Sequence, residues 1–248
     1  MDWMAQGTRI TGNLCYNNST DDFFSEVNHG PYLIDNNLFL SDVALVNMSH
    51  GGAYVHNLAA GVTRARTTSR GTPYMKEHST EVAGLRDLMK VGDIRFYNNI
   101  FVGDGGASAG GDQRVGYGLA VFNNAELPMH VDGNVYLNGA APYVGESNRI
   151  EQAGFDPKIE VVDKGEEVYL HVMVDQSWKC LQNKVVTTKL LGKAVVPDLP
   201  YMNRDGTPLK VDSDYFGRKR NDENPTAGPF ENPGEGRLSL KVWPAGQM

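Results

Sequence analysis

The chain repeats itself at a short interval, and that interval admits few folds. Shifted by 24 residues, Gly12-Asn13-Leu14 falls on Asn36-Asn37-Leu38, Ile10 on Ile34 and Tyr16 on Leu40. An Asn followed by an aliphatic residue recurs as Asn57-Leu58, Asn99-Ile100 and Asn134-Val135, at further spacings of 20, 42 and 35 residues. The 42 reads as two turns of about 21, and the 35 as one turn plus a loop insertion. Leucine-rich repeats share this range, but their fixed leucines and helical segment are missing. Short apolar or alternating strands flanked by Gly and Asn predict instead an all-β chain, a right-handed parallel β-helix. Equivalent residues of such a coil stack at roughly 4.8 Å. Leu14, Leu38 and Leu58 are expected to point inward, and the Asn residues to sit at bends in left-handed geometry and bond along the stack.

With 248 residues, 40% of them hydrophobic, the chain can bury one large core or two small ones. The repeat is readable over 1–156 and lost beyond it, which predicts β-helix turns followed by a β-rich extension, 157–248, packed on the helix end. In that extension Glu167–Val174 alternates like a half-buried strand, Val185–Leu191 reads as another and Gly236–Trp243 as a closing one, while Asp205-Gly206 marks a turn. No polar cap or first strand precedes Asp2, so the chain is expected to be the C-terminal part of a longer protein. It opens with no signal-peptide pattern, which favours the cytoplasm, although an upstream segment would carry any address.

Charge and cysteine usage exclude several classes. A net charge of −7 argues against a nucleic-acid partner. The basic Arg218-Lys219-Arg220 runs straight into Asn221-Asp222-Glu223 and reads as a solvated turn. No apolar run reaches the roughly 18–20 residues of a membrane span. Cys15 and Cys180 fit no metal or redox spacing, and Cys15 reads as a small buried side chain. His50 and His56 are expected at structural or rim positions, and no zinc pattern is present. Asp104 and Asp112, in the Gly-rich insertion that begins at Gly103, read as solvated loop acids in preference to a calcium site. No metal or organic cofactor is expected.

The repeat also aligns two acids. Asp2 lies 11 residues before Asn13, and Glu26 lies 11 before Asn37. One phase and one turn apart, their carboxyl groups would stand roughly 5 Å from each other. A glycosidase that retains configuration needs about 5–5.5 Å, whereas an inverting one needs about 6.5–9.5 Å. Trp3 could supply the apolar face of a sugar site, and Asn28 and His29 could bond hydroxyls. Between Gly61 and Glu77 a polar, basic loop leaves the coil. Val82–Met89, with an ambiguous period, is read as a strand of a further turn. His78 and Glu81, after the loop, are candidates for reaching the site.

Taken together, Asp2-Trp3-Met4-Ala5-Gln6-Gly7-Thr8, Glu26-Val27-Asn28-His29-Gly30-Pro31, Gly51-Gly52-Ala53-Tyr54-Val55-His56-Asn57, Thr72-Pro73-Tyr74 and His78-Ser79-Thr80-Glu81-Val82-Ala83-Gly84 resemble the parallel β-helix β-xylosidases of glycoside hydrolase family 120. The resemblance runs through most of the first 140 residues and reaches Asp214-Tyr215-Phe216-Gly217 and Gly228-Pro229-Phe230-Glu231 less specifically. It implies a retaining, exo-acting enzyme on xylo-oligosaccharides or a related glycan, with Asp2 as nucleophile and Glu26 as general acid/base. It leaves open whether the chain is a homo-oligomer. Members of that family carry a long N-terminal portion that is missing here. Two other readings stand beside it: a polysaccharide lyase, for which Arg9 would be the basic residue near the pair, and a non-catalytic, glycan-binding β-helix.

Overall fold

The computed structural model describes residues 1–87, 90–106 and 114–245; Met89, Asp112 and most of the Gly-rich insertion lie outside them. The chain is nearly all β. Sheet 1 sets Thr8–Thr11, Tyr32–Asp35, Gly52–Val55, Ile94–Tyr97 and Met129–Asp132 side by side, all parallel. Sheet 2 does the same with Leu14–Cys15, Leu38–Phe39, Leu58–Ala59, Ile100–Val102, Asn134–Leu137 and Arg149–Gln152. Sheet 3 pairs Phe23–Glu26, Val43–Met48 and Val62–Ala65 in parallel and ends on the antiparallel Val115–Tyr117. Each turn of the chain thus adds one strand to a sheet and moves on to the next.

The 24-residue shift read from the sequence is the register itself: Ile10 stands opposite Ile34 and Leu14 opposite Leu38. The 42-residue spacing is a correction. Gly52–Val55 pairs directly with Ile94–Tyr97, and Asn57 donates to Asn99 Oδ1 at 3.0 Å, so these residues form one turn. The surplus leaves the coil as an arm, a hairpin of Thr72–Met75 against Val82–Arg86. The strand expected near Val82 exists, but it belongs to this hairpin.

The bends divide two tasks expected of a single residue. The left-handed conformation falls on Gly12, Asn36, His56, Asn98 and Gly133. The residue after each, Asn13, Asn37, Asn57, Asn99 or Asn134, builds the ladder. The backbone N–H and side-chain amide of every ladder Asn both donate to the Oδ1 of the next at 2.8–3.0 Å. At the last rung Glu146 takes the place of a further Asn. Its Oε1 accepts from Asn134 N and Nδ2 at 3.0 and 2.8 Å, and its Oε2 from the Tyr136 hydroxyl at 2.5 Å.

Alternation along the strand then overturns a second expectation. With the ladder amides inside, the next residue must point out and the one after it back in. Cys15, Phe39, Ala59, Phe101 and Tyr136 accordingly join the interior, where Tyr54 stacks on Phe96 and Phe101 on Tyr136. Leu14, Leu38, Leu58, Ile100 and Val135 face outward and are covered by Val168–Val174, Gly236–Trp243, Trp178 and Phe230. Cys15, at the first strand, is half-buried.

The C-terminal residues therefore lie along the flanks of the coil, where an end cap was expected. Val168–Val174 and Gly236–Trp243 pair antiparallel over sheet 2. The stretch from Val186 to Val211 covers the outer face of sheet 1, packing on Leu33, Ala53, Val55 and Tyr97. Of the strand expected over Val185–Leu191 only Val186–Thr187 is strand, pairing with Lys210–Val211; Thr188–Leu191 is one helical turn capped by Thr187, whose hydroxyl accepts from Leu190 N. Arg220, expected in a solvated turn, is buried, and it fastens this layer by donating to Asn36 Oδ1 and to the Gly228 carbonyl. Burial lowers its pKa to about 10, which keeps it charged at neutral pH.

Candidate active site

The C-terminal residues cover two of the three outer faces; on the third, that of sheet 3, Phe24 and Glu26 stay partly exposed among the described residues and Val46 is buried. Phe23 and Ser25 point into the coil, so Phe24 and Glu26 point out. Met1 extends this sheet by one strand. Its nitrogen donates to the Phe24 carbonyl at 2.8 Å and its carbonyl accepts from Glu26 N at 2.9 Å. Those two bonds define a parallel pairing of Met1 with Ser25, so the next residue, Asp2, falls opposite Glu26, one strand spacing away (about 4.8 Å).

Asp2 is exposed, and its Oδ1 accepts from Trp3 N at 2.7 Å. Glu26 Oε1 accepts from Arg70 at 3.1 Å, and the same guanidinium lies 5.6 Å from the centroid of the Trp3 ring. Asp2, Trp3, Glu26 and Arg70 thus converge on one patch. Arg70 had not been singled out from the sequence; the sign available was a segment from Gly61 to Met75 with three arginines and no acid.

Backbone conformation fixes the end of the Glu26 strand. Val27 is buried and adopts φ +46°, which is costly for a β-branched residue. Gly30 at φ +71° brings the bend against the next turn, where a Cβ would lie 2.2 Å from the Gly51 carbonyl oxygen.

Asn28 and His29 are corrections, since neither presents a polar atom to a ligand. Asn28 is wholly buried; its Oδ1 accepts from Ala5 N at 2.6 Å and its amide N–H is held by Ser49 Oγ. His29, also buried, places Nε2 3.1 Å from the Thr72 carbonyl and Nδ1 3.4 Å from His50 Nδ1. A carbonyl can only accept, so His29 carries its proton on Nε2. His50 Nε2 lies 3.0 Å from both the carbonyl oxygen and the amide N of Lys90, donating to the first in one tautomer and accepting from the second in the other. Desolvation lowers both pKa values, that of His50 to about 4. This relay ties the base of the arm to the bend after Glu26. Gln6 adds two bonds to Met75, through Nε2 to the carbonyl and Oε1 from the amide.

His78 and Glu81 sit further out, on the arm's tip. Glu81 is exposed and pairs with Lys76 at 2.5 Å. His78 lines a neighbouring cleft over sheet 1 together with Gln6, Lys76 and Tyr201. The tip is thereby assigned to that cleft, and the arm's contribution at the carboxylates is Arg70. Arg9 is committed to Asp35, which it meets at 2.7 Å.

A pair of acids one strand apart, Asp2 exposed and Glu26 half-buried, beside an aromatic ring and a guanidinium, can hold a sugar and act on it from two positions. A solved structure, the complex of XylC with xylose, resembles this chain with a TM-score of 0.85 at 37% identity. The match covers 98% of this chain and 40% of that one, so the chain spans less than half the length of the protein it resembles. No protein-family model and no curated protein matches the chain.

Proposed function

Because the chain belongs to glycoside hydrolase family 120, we propose that it carries the two carboxylates of a retaining, exo-acting β-xylosidase on xylo-oligosaccharides. The observation that carries this reading is the Met1–Ser25 pairing, which sets Asp2 across from Glu26 on the outer face of sheet 3. Backbones one strand spacing apart can bring the two carboxyl groups to the separation of about 5–5.5 Å that a covalent route requires. The xylose in the XylC structure supports a pentose as the sugar.

Asp2 attacks the anomeric carbon while Glu26 protonates the leaving oxygen, giving a glycosyl ester on Asp2. Glu26, now a carboxylate, takes a proton from water, and the water displaces Asp2 with a second inversion. Trp3 offers an apolar face to the sugar ring. Residues 1–156 form the turns of a right-handed parallel β-helix, and 157–248 brace it. Asn28 and His29 hold the wall behind Glu26 and do not bind the sugar.

The test is hydrolysis of aryl β-xylosides followed by NMR of the first-formed sugar. The β-anomer should appear first, and Asp2→Asn should reduce turnover by at least about 1,000-fold. Glu26→Gln should slow substrates with poor leaving groups far more than those with good ones, because only the former need the proton. The α-anomer as first product, or substantial turnover by Asp2→Asn, would remove Asp2 from the nucleophile's role.

A further inference from the structure

The outer face of sheet 3 continues beyond the two carboxylates. Its register puts Asp2, Glu26, Met48 and Arg66 in one column, and Phe24, Val46 and Arg64 in the next. Arg66 is exposed, and its guanidinium lies 5.8 Å from the Phe24 ring centroid. Arg70 repeats the arrangement over Trp3 while donating to Glu26. Two guanidinium groups therefore lie within cation–π reach of two aromatic rings beside the candidate acid/base. A guanidinium presents a planar fork of N–H donors that matches a carboxylate.

The order along the column gives this surface a direction. A nucleophile approaches the anomeric carbon from the side opposite the leaving group, and the general acid reaches the leaving oxygen. Beyond Glu26, away from Asp2, lies the side that the leaving sugar occupies, and there stands Arg66, while Arg70 reaches Glu26 from over Trp3. The segment that supplies them, Gly61–Met75, holds no acid in a chain of net charge −7. The exposed Arg66 guanidinium, beside Phe24 and next to the Arg70–Glu26 pair, suits a sugar that is itself an anion.

We infer that the leaving-group side of the site takes a uronic-acid-bearing oligosaccharide, whose carboxylate pairs with Arg66 and Arg70; this rests on the reading of Glu26 as the acid/base. Binding of that carboxylate draws Arg70 off Glu26 and leaves Glu26 Oε1 free to face the leaving oxygen.

The test is calorimetric titration of the Asp2→Asn protein, which holds substrate without turning it over. The probes are xylotriose and the same trisaccharide carrying glucuronic acid at its leaving-group end. The acidic sugar should bind about 10-fold more tightly at 50 mM salt, the worth of one charge-assisted hydrogen bond. The ratio should shrink at 500 mM salt and fall at least several-fold when Arg66→Gln is added, with circular dichroism showing the variant folded. Equal affinity for the two sugars, or a preference untouched by Arg66→Gln, overturns the inference and leaves the glycosidase reading standing. Failure to bind either sugar overturns both.

Discussion

Glu146 closes the asparagine ladder, and its removal should be felt well beyond one side chain. It is buried, and three donors converge on it: Asn134 N, Asn134 Nδ2 and the Tyr136 hydroxyl. Truncation in Glu146→Ala leaves all three without an acceptor, at about 1–3 kcal/mol for each buried group. A water entering the vacated space would satisfy part of the loss, so the expected cost is about 3–6 kcal/mol. Glu146→Gln separates the acceptor from the charge. Its Oε1 can still serve both donors of Asn134, and the Tyr136 hydroxyl can turn to accept from the new amide, so this variant should lose about 1 kcal/mol. Urea titrations followed by near-ultraviolet circular dichroism measure both, because Tyr136 stacks on Phe101 and reports the last turn directly. A loss below about 1 kcal/mol in Glu146→Ala, or equal losses in the two variants, would refute the view that an acceptor is what the ladder needs at its end.

Two further perturbations test other parts of the structure. His50 is held neutral with its pKa near 4, against 6.5 for the free side chain, so the unfolded chain takes up its proton first as the pH falls. Its contribution is complete above pH 6.5 and declines toward pH 4. From pH 7.5 to pH 5 it should subtract about 2 kcal/mol, and His50→Gln should flatten that slope in urea midpoints measured at both values. Gly30→Ala places a Cβ 2.2 Å from the Gly51 carbonyl oxygen at φ +71°; at least about 2 kcal/mol should be lost, together with aryl β-xyloside hydrolysis, because this bend follows Glu26.

The register was legible in the sequence because side chains that stack must recur, and Asn recurs where a backbone needs its amide. The same logic aligned Asp2 with Glu26. It failed at Leu38 and Leu58, since a buried aliphatic looks alike whether it fills the coil or lies under another layer. Only the inward ladder, which alternation carries to Phe39 and Ala59, decides between them. The 42-residue interval misled because twice 21 fits the period, while an arm that returns to its own rung leaves no trace in spacing. Asn28 and His29 looked like sugar ligands by residue type, but the bend beside Ser49, His50 and Thr72 uses their polar atoms. Arg70 was hidden among other arginines of one loop, and distance in space alone joins it to Glu26.

The ladder has a polarity. From Asn13 to Asn134 every side-chain amide points its N–H the same way along the stack. Five parallel amide dipoles add, as peptide dipoles do along a helix, and the positive end of the row meets Glu146. A sixth asparagine would have matched the hydrogen bonds but brought no charge. Burial pushes the Glu146 pKa up, and the aligned dipoles push the other way. The coil thus terminates as helices often begin, with an anion seated at the end of a column of oriented N–H groups.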